Sequence, residues 1–407
     1  MAKIGIPFEI EIESALHVGQ APLGVGEYAF TQRHIPGSAL RGALAEVFIN
    51  QYGLKPGPES EFNQLFEGAE AIRFEPAYPA TALEWGYPFP LTARQCKAHG
   101  GFPKLDTPQA ERECYHGAFD VLVSQVVFEE QLVSGSVPFI EKPLCPHCWK
   151  NVEPAQGVYT WDEEEGHPGV ASDVCLVRHT HTAINRARSV AEDGMLFTIE
   201  TMEPGTLLRG QVWVEPDQVE RVRKALSTIK HLGRGVTRGR GRVMVDPLPQ
   251  ESNGSILARI EALNKLIQKE RALYARLAGD AAPPPDGVYF TLDLLSPAVF
   301  GNGVVATLKP EDLNLSFEVN LVRRFVASEV VGGWWNAARL LHPTALAVEA
   351  GSVFLYQAPS DVDLQGLSRE LETLRAEGVG CLRERGYGAV LPCAPFHLWT
   401  AEKEAAR

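Results

Sequence analysis

The sequence predicts an α+β fold made of two similar units, and two observations support this. The first is the order of elements before residue 250: a strand, a helix, a long polar interval, two strands, a helix, a glycine-rich loop and a final strand. This order matches a split βαβ, ferredoxin-like unit with a large insertion. The second is a weaker repeat of the same order after residue 286, which indicates a duplication.

The first unit opens on an alternating strand. Apolar and charged residues alternate over residues 4–12, which is typical of a half-buried strand. Ser38 is expected to cap the helix that follows. Leu40 and Leu44 lie on the apolar face of this helix, and Gly53 is placed to end it.

Two strand-like runs return after the polar interval. They span residues 195–202 and 207–214, and Glu203, Pro204 and Gly205 form a turn between them. An amphipathic helix begins near Asp217 and leads into the glycine-rich loop, which ends in a strand. Together these elements complete the first unit.

The second unit is separated by a helical linker and a proline-rich break. Strands are expected at 288–294 and 352–356, and an amphipathic helix begins at Leu364. This helix leads to GVGCLRERGYGAV at 378–390, which resembles the first glycine-rich loop. Because Glu384 lies among the arginines of this second loop, we expect the loop to have a structural role. The predicted domains are 1–250 with an insertion at about 85–180, the linker 251–285, and 286–407.

A basic segment interrupts an otherwise acidic chain. Residues 221–242 hold eight Lys or Arg and no acid, although the formal net charge is −13. Within it, Gly233, Gly235, Gly239 and Gly241 lack the Cβ that would keep a ligand away from backbone N–H groups. The segment predicts a polyanion partner; a solvated basic helix with a flexible turn is the alternative.

Composition places the chain among globular proteins. Its 407 residues favour two domains, and 45% hydrophobic content is enough for ordinary packed cores. We see no N-terminal signal pattern and no run of about 18 apolar residues. A cytoplasmic protein that does not engage a membrane is therefore expected.

Seven cysteines, an odd number in a reducing compartment, favour metal ligation or burial over disulfides. Cys145 and Cys148 form the pair CPHC, and Cys96 and His99 form CKAH with the same spacing. Two such pairs predict a tetrahedral structural zinc site, which would hold together an insertion that lacks a core of its own. The rival ligands are Cys114, His116 and His147.

Three stretches carry a resemblance to a known family. They are HIPGSALRGALAEVF at 34–48, HTAINRARSVAEDGMLFTIE at 181–200 and LGRGVTRGRGRV at 232–243. In this order they resemble the RAMP superfamily of CRISPR-associated proteins, most of all the type III-D member at the 5′-handle-capping position of the effector complex. The cysteine insertion and WWNAARLLHPTALAVEAGSVFLY at 334–356 fit the same subfamily.

The resemblance implies a non-catalytic RNA-binding subunit built from RRM-like RAMP units. It implies a grip on the repeat-derived 5′ handle of the crRNA, contacts with the large signalling subunit and backbone RAMP subunits, and target RNA nearby. Such single-stranded RNA is held by phosphate contacts and by stacking of bases on aromatic or arginine planes. A ribonucleoprotein complex of antiviral defence is therefore expected.

Ten residues are candidates for RNA contact. Four match the family's glycine-rich loop, two match its helix-entry motif, and four lie in a run dense in hydrogen-bond donors, for which a plain surface loop is the alternative. In that order they are Arg234, Thr237, Arg238, Arg240; Ser38, Arg41; and His181, Asn185, Arg186, Arg188.

Two catalytic alternatives stay open at the level of sequence. One is a repeat-processing endoribonuclease of the same superfamily, with His17, His34 and Tyr28 as candidate acid–base residues. The other is a backbone subunit that cleaves target RNA with a divalent ion, for which Asp173 and Asp193 are the suggestive positions. No compact group of histidine, tyrosine and lysine is evident in the sequence, which favours a binding role.

Overall fold

The computed structural model describes residues 3–19, 28–68, 70–81, 84–103, 107–108, 111, 114–133, 143–170, 174–249, 254–278, 287–301, 307–335 and 340–406. In these ranges it is a mixed α+β structure. The strands β1 to β20 are Ile4–Ile12, Tyr28–Ala29, Arg73–Phe74, Tyr78–Pro79, Trp85–Pro88, Ala93–Cys96, Ala118–Asp120, Val152–Pro154, Val158–Asp162, His167–Val170, Leu176–Asn185, Val190–Met202, Leu207–Val214, Val243–Pro247, Val288–Leu294, Asn320–Phe325, Ser328–Trp335, Leu340–Val348, Val353–Ala358 and Val390–Pro392. The helices α1 to α7 are Gly37–Tyr52, Glu61–Phe66, Leu122–Val133, Val219–Leu226, Ile256–Ala278, Leu364–Glu377 and Ala401–Ala405. None of the helices described is both long enough and apolar enough to cross a bilayer.

The first sheet is centred on β1, as its alternating sequence predicts. The strand order is β14-β1-β13-β3, and β4 also pairs with β13. Strand β1 is antiparallel to both of its neighbours. Helices α1 and α4 pack their apolar residues, including Leu40, Leu44 and Val222, against the buried Phe8. This face is one continuous core.

Helix α1 begins at a different residue from the one expected. Its N-cap is Pro36, in an extended conformation, and no side chain caps the helix. Ser38 is exposed within the first turn, so the prediction that it caps α1 is wrong. The C-terminal prediction is confirmed, because Gly53 adopts the left-handed conformation with φ +69° and its N–H bonds the Phe48 carbonyl.

The described residues between the two halves of the first sheet include small sheets and the helix α3. Strands β7-β6-β8 form one sheet and β10-β9-β5 another. Helix α3 packs against the long helix α5 through Val126, Val127, Leu263 and Ile267. The segment predicted as a linker is therefore a helix with a buried apolar face. The proline-rich break at 283–285 lies outside the described residues.

Strands β11 and β12 form a long antiparallel hairpin, called here the first hairpin. The short strand β2 pairs in parallel with β12, giving the order β11-β12-β2. The predicted strand at 195–202 is thus the second half of a longer strand. The donor-rich run from His181 to Arg188, for which a surface loop was the alternative, forms the end of β11 and the turn of the hairpin.

The second sheet has the order β16-β19-β15-β20. Helix α6 packs its buried Leu367 and Leu371 on this sheet against Phe290 and Phe354. Strands β17 and β18 form a second hairpin between β16 and β19. The predicted strands at 288–294 and 352–356 and the helix from Leu364 are confirmed, with β19 spanning Val353–Ala358.

Candidate functional site

The first glycine loop, residues 232–243, follows α4 and its short exit turn and leads into β14. The Leu232 N–H donates to Gly241 O at 2.8 Å, and the Arg234 N–H donates to His17 O at 2.9 Å. Gly233, Gly239 and Gly241 all have φ between +74° and +77°, which few residues other than glycine adopt. The side chains of Arg234, Thr237 and Arg238 are exposed.

Two arginines of the loop have no ion pair in the part of the chain that the structure describes. Among the described residues no carboxylate pairs with Arg234 or Arg238, whereas the neighbouring Arg242 pairs with Glu13 at 2.7 Å. Unpaired guanidinium groups beside backbone N–H groups suit the oxygens of a phosphate. The loop therefore has the chemistry of an anion-binding site.

The second glycine loop, residues 378–390, has the same backbone conformation. Gly380, Gly386 and Gly388 have φ +74°, +85° and +72° and correspond to Gly233, Gly239 and Gly241. Its anchoring bonds correspond too. In the first loop Gly241 N–H donates to Ala15 O at 3.0 Å, and in the second Gly388 N–H donates to Pro297 O at 2.9 Å. The chain thus contains the same loop twice.

The two loops differ in what lies against them. A Cβ added at Gly239 would have no heavy atom within 4 Å. A Cβ added at Gly386 would lie 2.6 Å from Gly37 Cα and 2.9 Å from Ser38 N, because the start of α1 packs on the second loop. The first loop is open at this point, and the second is closed by the protein itself. The second loop therefore makes an intramolecular contact, as its mixed charges predict.

This difference gives a stability prediction with a matched control. Gly239→Ala is expected to lower the free energy of unfolding by about 1–2 kcal/mol, because alanine is strained at positive φ. Gly386→Ala should cost a further 1–3 kcal/mol or so, because its Cβ displaces the α1 backbone. Urea unfolding of both variants measures the difference. Equal losses would contradict the close contact.

The first hairpin lies beside the first glycine loop. Arg240 Nη2 donates to His181 Nε2 at 2.7 Å, and the His181 ring stacks on Phe197 with 5.3 Å between centroids. At the tip of the hairpin, the Asn185 side chain accepts from the Arg188 N–H at 3.1 Å, which orders the turn. Arg186 and Arg188 are exposed there. The structure therefore gathers eight of the ten RNA-contact candidates on the loop and the hairpin.

The remaining two candidates, Ser38 and Arg41, lie elsewhere. Both belong to the start of α1, which packs on the second glycine loop. Arg41 Nη2 donates to Phe66 O at 3.1 Å and lies 3.6 Å from a Glu67 carboxylate oxygen. Burial lowers the pKa of Arg41, and Glu67 partly opposes this shift. Arg41 is thus held in a protein contact, and the structure does not bring it to the first loop.

A cysteine and histidine cluster lies in the insertion. The ligand atoms of Cys96, His116, Cys145 and Cys148 all lie within 4.8 Å of one another. Cys96 Sγ is 3.6 Å from Cys148 Sγ, and Cys145 Sγ is 3.3 Å from His116 Nδ1. In a tetrahedral site with Zn–S bonds of about 2.3 Å, sulfur atoms are about 3.8 Å apart. The donor set and its spacing fit a metal ion.

The fourth member of the cluster is His116, one of the rivals, where the sequence predicted His99. Pairing of β6 with β8 brings Cys96 to the turn that holds Cys145 and Cys148. Pairing of β6 with β7, extended by a 2.8 Å bond from His116 N–H to His99 O, brings in His116. The His99 ring packs beside it, with 4.7 Å between centroids. Spacing alone could not separate two histidines that the fold places side by side.

The histidines proposed for catalysis have structural contacts. His17 is buried, and its Nδ1 lies 2.7 Å from Glu200 O. Burial lowers the pKa of His17, the bond to Glu200 opposes this, and the charges of Arg234 and Arg240 add to it. Burial also lowers the pKa of His34 to about 4, and its ring lies 5.0 Å from that of Tyr78. Asp173 and the Asp193 side chain lie outside the described residues.

A buried charged network was missed from the sequence. His397 Nδ1 lies 2.9 Å from Asp120 Oδ2 and its Nε2 lies 2.7 Å from Asp293 Oδ1. Burial would lower the pKa of His397, but the two carboxylates outweigh it and raise the pKa to about 10. The three residues are more than a hundred positions apart, so no local motif marks them. They tie the insertion, the second sheet and the C-terminal segment together.

Comparison with protein families identifies the chain. A model of the RAMP superfamily matches residues 9–244, which is more than half of the sequence. The protein therefore belongs to the RAMP superfamily. A second model, described as CRISPR-associated protein (Cas_Cmr3), matches residues 176–393. The chain is thus a Cmr3-like CRISPR-associated RAMP protein. The narrower resemblance to the type III-D member stays a prediction.

Solved structures give similar but distant matches. One chain in a cryo-EM structure of the type III-B Cmr-beta complex bound to cognate target RNA and AMPPnP is 11% identical, with 90% of this chain and 93% of that chain covered and a TM-score of 0.39. A chain in the crystal structure of the Csm3–Csm4 subcomplex of the type III-A interference complex is 11% identical, with 86% and 92% covered and a TM-score of 0.36. These values assign no function to this chain. No curated protein matches the sequence.

Proposed function

We propose that this chain is the non-catalytic crRNA-binding subunit of a type III CRISPR effector complex, and that it caps the repeat-derived 5′ handle. It bridges the large signalling subunit and the backbone RAMP subunits, with target RNA nearby. The RNA path runs over the first glycine loop and the first hairpin, where Arg234, Thr237, Arg238 and Arg240 meet phosphates. His181, Asn185, Arg186 and Arg188 continue this path along the hairpin.

The observation that carries the proposal is the contrast between the two glycine loops. They share one backbone conformation, but only the first is open at its outer glycine and has unpaired arginines. The second is covered by α1, and Glu384 lies 3.6 Å from Arg385 there. A polyanion that approaches the protein finds cations and accessible backbone at the first loop. Ser38 and Arg41, which lie by the second loop, are not part of this path.

The strand orders of the two sheets support a fold of two ferredoxin-like units. Both β14-β1-β13-β3 and β20-β15-β19-β16 place the last strand of a unit beside its first, followed by the third and the second. This arrangement is typical of a ferredoxin-like unit. In each unit a long hairpin also directly precedes the third strand of the sheet, β11 and β12 before β13 and β17 and β18 before β19. We therefore infer two ferredoxin-like RAMP units, in the domains 1–250 and 286–407, joined by α5.

A binding role also agrees with the environment of the candidate acid–base groups. A general acid or base must reach the proton that it transfers. The His17 ring is buried against Glu200 O, and the His34 ring packs on Tyr78. Neither ring lies on the surface formed by the first glycine loop and the hairpin tip, which favours a scaffold over the endoribonuclease.

The test is binding of a labelled crRNA with its 5′ handle to the full chain and to the assembled complex. A crRNA with a scrambled handle is the control, and a denaturing gel of the same samples reports cleavage. We expect tighter binding of the native handle and intact RNA. Equal affinity for both RNAs would contradict handle recognition. Cleavage that is lost in His17→Ala or His34→Ala would replace the proposal with the processing nuclease.

We also propose that the cluster of Cys96, His116, Cys145 and Cys148 holds a structural zinc ion. Three thiolates and one imidazole are a common ligand set for zinc. When bound, the ion would join β6, β7 and the CPHC turn, three pieces that are well separated in the sequence. It has no part in the proposed RNA contacts.

The zinc proposal predicts different effects for two neighbouring histidines. Purified protein is expected to contain zinc by mass spectrometry. His116→Asn should lose it and lower Tm by roughly 5 °C or more. His99→Asn is the matched control and should keep both the metal and the Tm. Zinc retained in His116→Asn but lost in His99→Asn would restore the ligand set first predicted from the sequence.

A further inference from the structure

A cavity of about 640 Å³ opens at the base of the first hairpin. Its wall includes Arg33, Leu176, Arg178 and Glu200. Side chains alternate along β11, so Arg178 lies on the face opposite His181, which contacts the first glycine loop. The cavity therefore lies on the other side of the hairpin from the proposed phosphate contacts. The cavity is shallow and open to solvent.

The cavity has a buried carboxylate in its wall. The Glu200 side chain is 7% exposed and accepts from Arg178 Nε at 3.4 Å and from Thr31 N–H at 3.3 Å. A carboxylate has about four lone-pair positions, so it still has capacity for N–H donors of a ligand. It would repel a phosphate at the same point. Arg33 and Arg178 also line the cavity, so its ligand is expected to present hydrogen-bond donors to Glu200 and acceptors to the two arginines.

An aromatic and arginine platform lies on the same face. The rings of Tyr28 and Phe30 are 4.4 Å apart between centroids, and Phe30 is 52% exposed. The Arg178 guanidinium lies 5.5 Å from the Tyr28 ring centroid. Strand β2 places these rings next to β12, which carries Glu200. Exposed aromatic and guanidinium planes are the surfaces on which unpaired bases stack.

The cavity is connected to the first glycine loop through one residue. Glu200 O bonds the His17 ring, and His17 O accepts from the Arg234 N–H. Arg178 and His181 are also only three positions apart on β11. A strand of RNA with phosphates at the loop therefore passes within reach of the hairpin edge, where one base can turn to the opposite face.

We propose that this cavity binds one splayed-out nucleobase of the RNA held at the first glycine loop, with a preference for guanine. The inference rests on the proposed RNA-binding function and adds base recognition to it. The Watson–Crick edge of guanine has two adjacent donors, N1–H and N2–H, which match the two oxygens of the Glu200 carboxylate. Adenine and cytosine offer one amine there, and uracil offers one N–H between two carbonyls.

The test uses the assembled complex and a panel of crRNAs in which each handle position in turn carries each of the four bases. At one position guanine is expected to bind roughly 10- to 100-fold more tightly than the other bases. Inosine, which lacks the amine at position 2, should lose much of that preference. Glu200→Gln should flatten the preference, and Phe30→Ala should weaken binding by roughly fivefold or more. Leu273→Ala, an exposed apolar change on α5, is the control and should alter neither.

The outcomes separate this inference from the proposed function. If the handle binds with its salt dependence intact but no position shows a preference that Glu200→Gln removes, the base site is wrong and the RNA-binding role stands. If the wild-type complex does not bind the handle at all, both the base site and the proposed RNA-binding role are wrong. If Phe30→Ala binds RNA normally but fails to assemble with partner subunits, the platform is a protein contact and the inference is wrong.

Discussion

Replacing Arg234, Arg238 and Arg240 with glutamine is expected to weaken handle binding by about 10²-fold or more. Each arginine is expected to contribute a charge-assisted hydrogen bond worth about 1 kcal/mol or somewhat more. Removing three charges should also lower the slope of log affinity against log salt by about 2, since each phosphate neutralised on a single strand contributes about 0.7. Fluorescence anisotropy at several salt concentrations measures both quantities.

The control for the loop variant removes the same charge from another surface. Lys265, Lys269 and Arg369 lie exposed on α5 and α6, and their change to glutamine lowers the net charge equally. This triple variant is expected to keep the wild-type slope and affinity. If the two variants behave alike, the effect belongs to the overall charge, and the RNA path does not cross the first glycine loop.

Replacing His397 with asparagine is expected to destabilise the protein by about 3–5 kcal/mol. The change removes the cation from between Asp120 and Asp293 and leaves two buried carboxylates without it. His167→Asn is the matched control, because His167 also lies 2.8 Å from a carboxylate but the partner Glu165 is exposed. The control should change the free energy of unfolding by less than about 1 kcal/mol. Urea unfolding of both variants measures the difference.

The same network predicts how stability depends on pH. The pKa of His397 is raised in the folded state from an ordinary value of 6.5 to about 10. Its contribution is therefore complete below pH 6.5 and is lost as the pH rises toward 10. Unfolding of the wild type should become easier between pH 6.5 and 9, and His397→Asn should show a smaller change over this interval. If the stability of both proteins changes equally with pH, His397 is not the group that loses a proton over this interval.

Local patterns predicted some of the strands and helices correctly. The alternation over residues 4–12 and the heptad-like leucines from Leu364 gave a strand and a helix where the structure has them. These patterns succeed because burial of one face and backbone geometry act over a few residues. Ser38 failed as a cap because the extended backbone of an N-cap residue lies two positions earlier, at Pro36, so Ser38 already belongs to the helix.

The sequence predicted the chemistry of the candidate sites, but only some of the residues that form them. The arginines of the first glycine loop and the three cysteines of the cysteine and histidine cluster follow from motifs. The choice of His116 over His99 depends on the pairing of β6 with β7, and the positions of Tyr28, Phe30 and Glu200 depend on the pairing of β2 with β12. Strand pairing joins distant residues, so a local motif contains no trace of it.

Two glycine loops, a basic segment in an acidic chain and a cysteine-rich insertion are all visible in the sequence. Folding decided which of the two loops is open, because α1 packs against Gly386 and no such contact covers Gly239. It also decided that His397 is a buried cation, since Asp120 and Asp293 become its neighbours only on folding. Residue type fixes the available chemistry, but contacts between distant segments fix which groups meet solvent, ligand or one another.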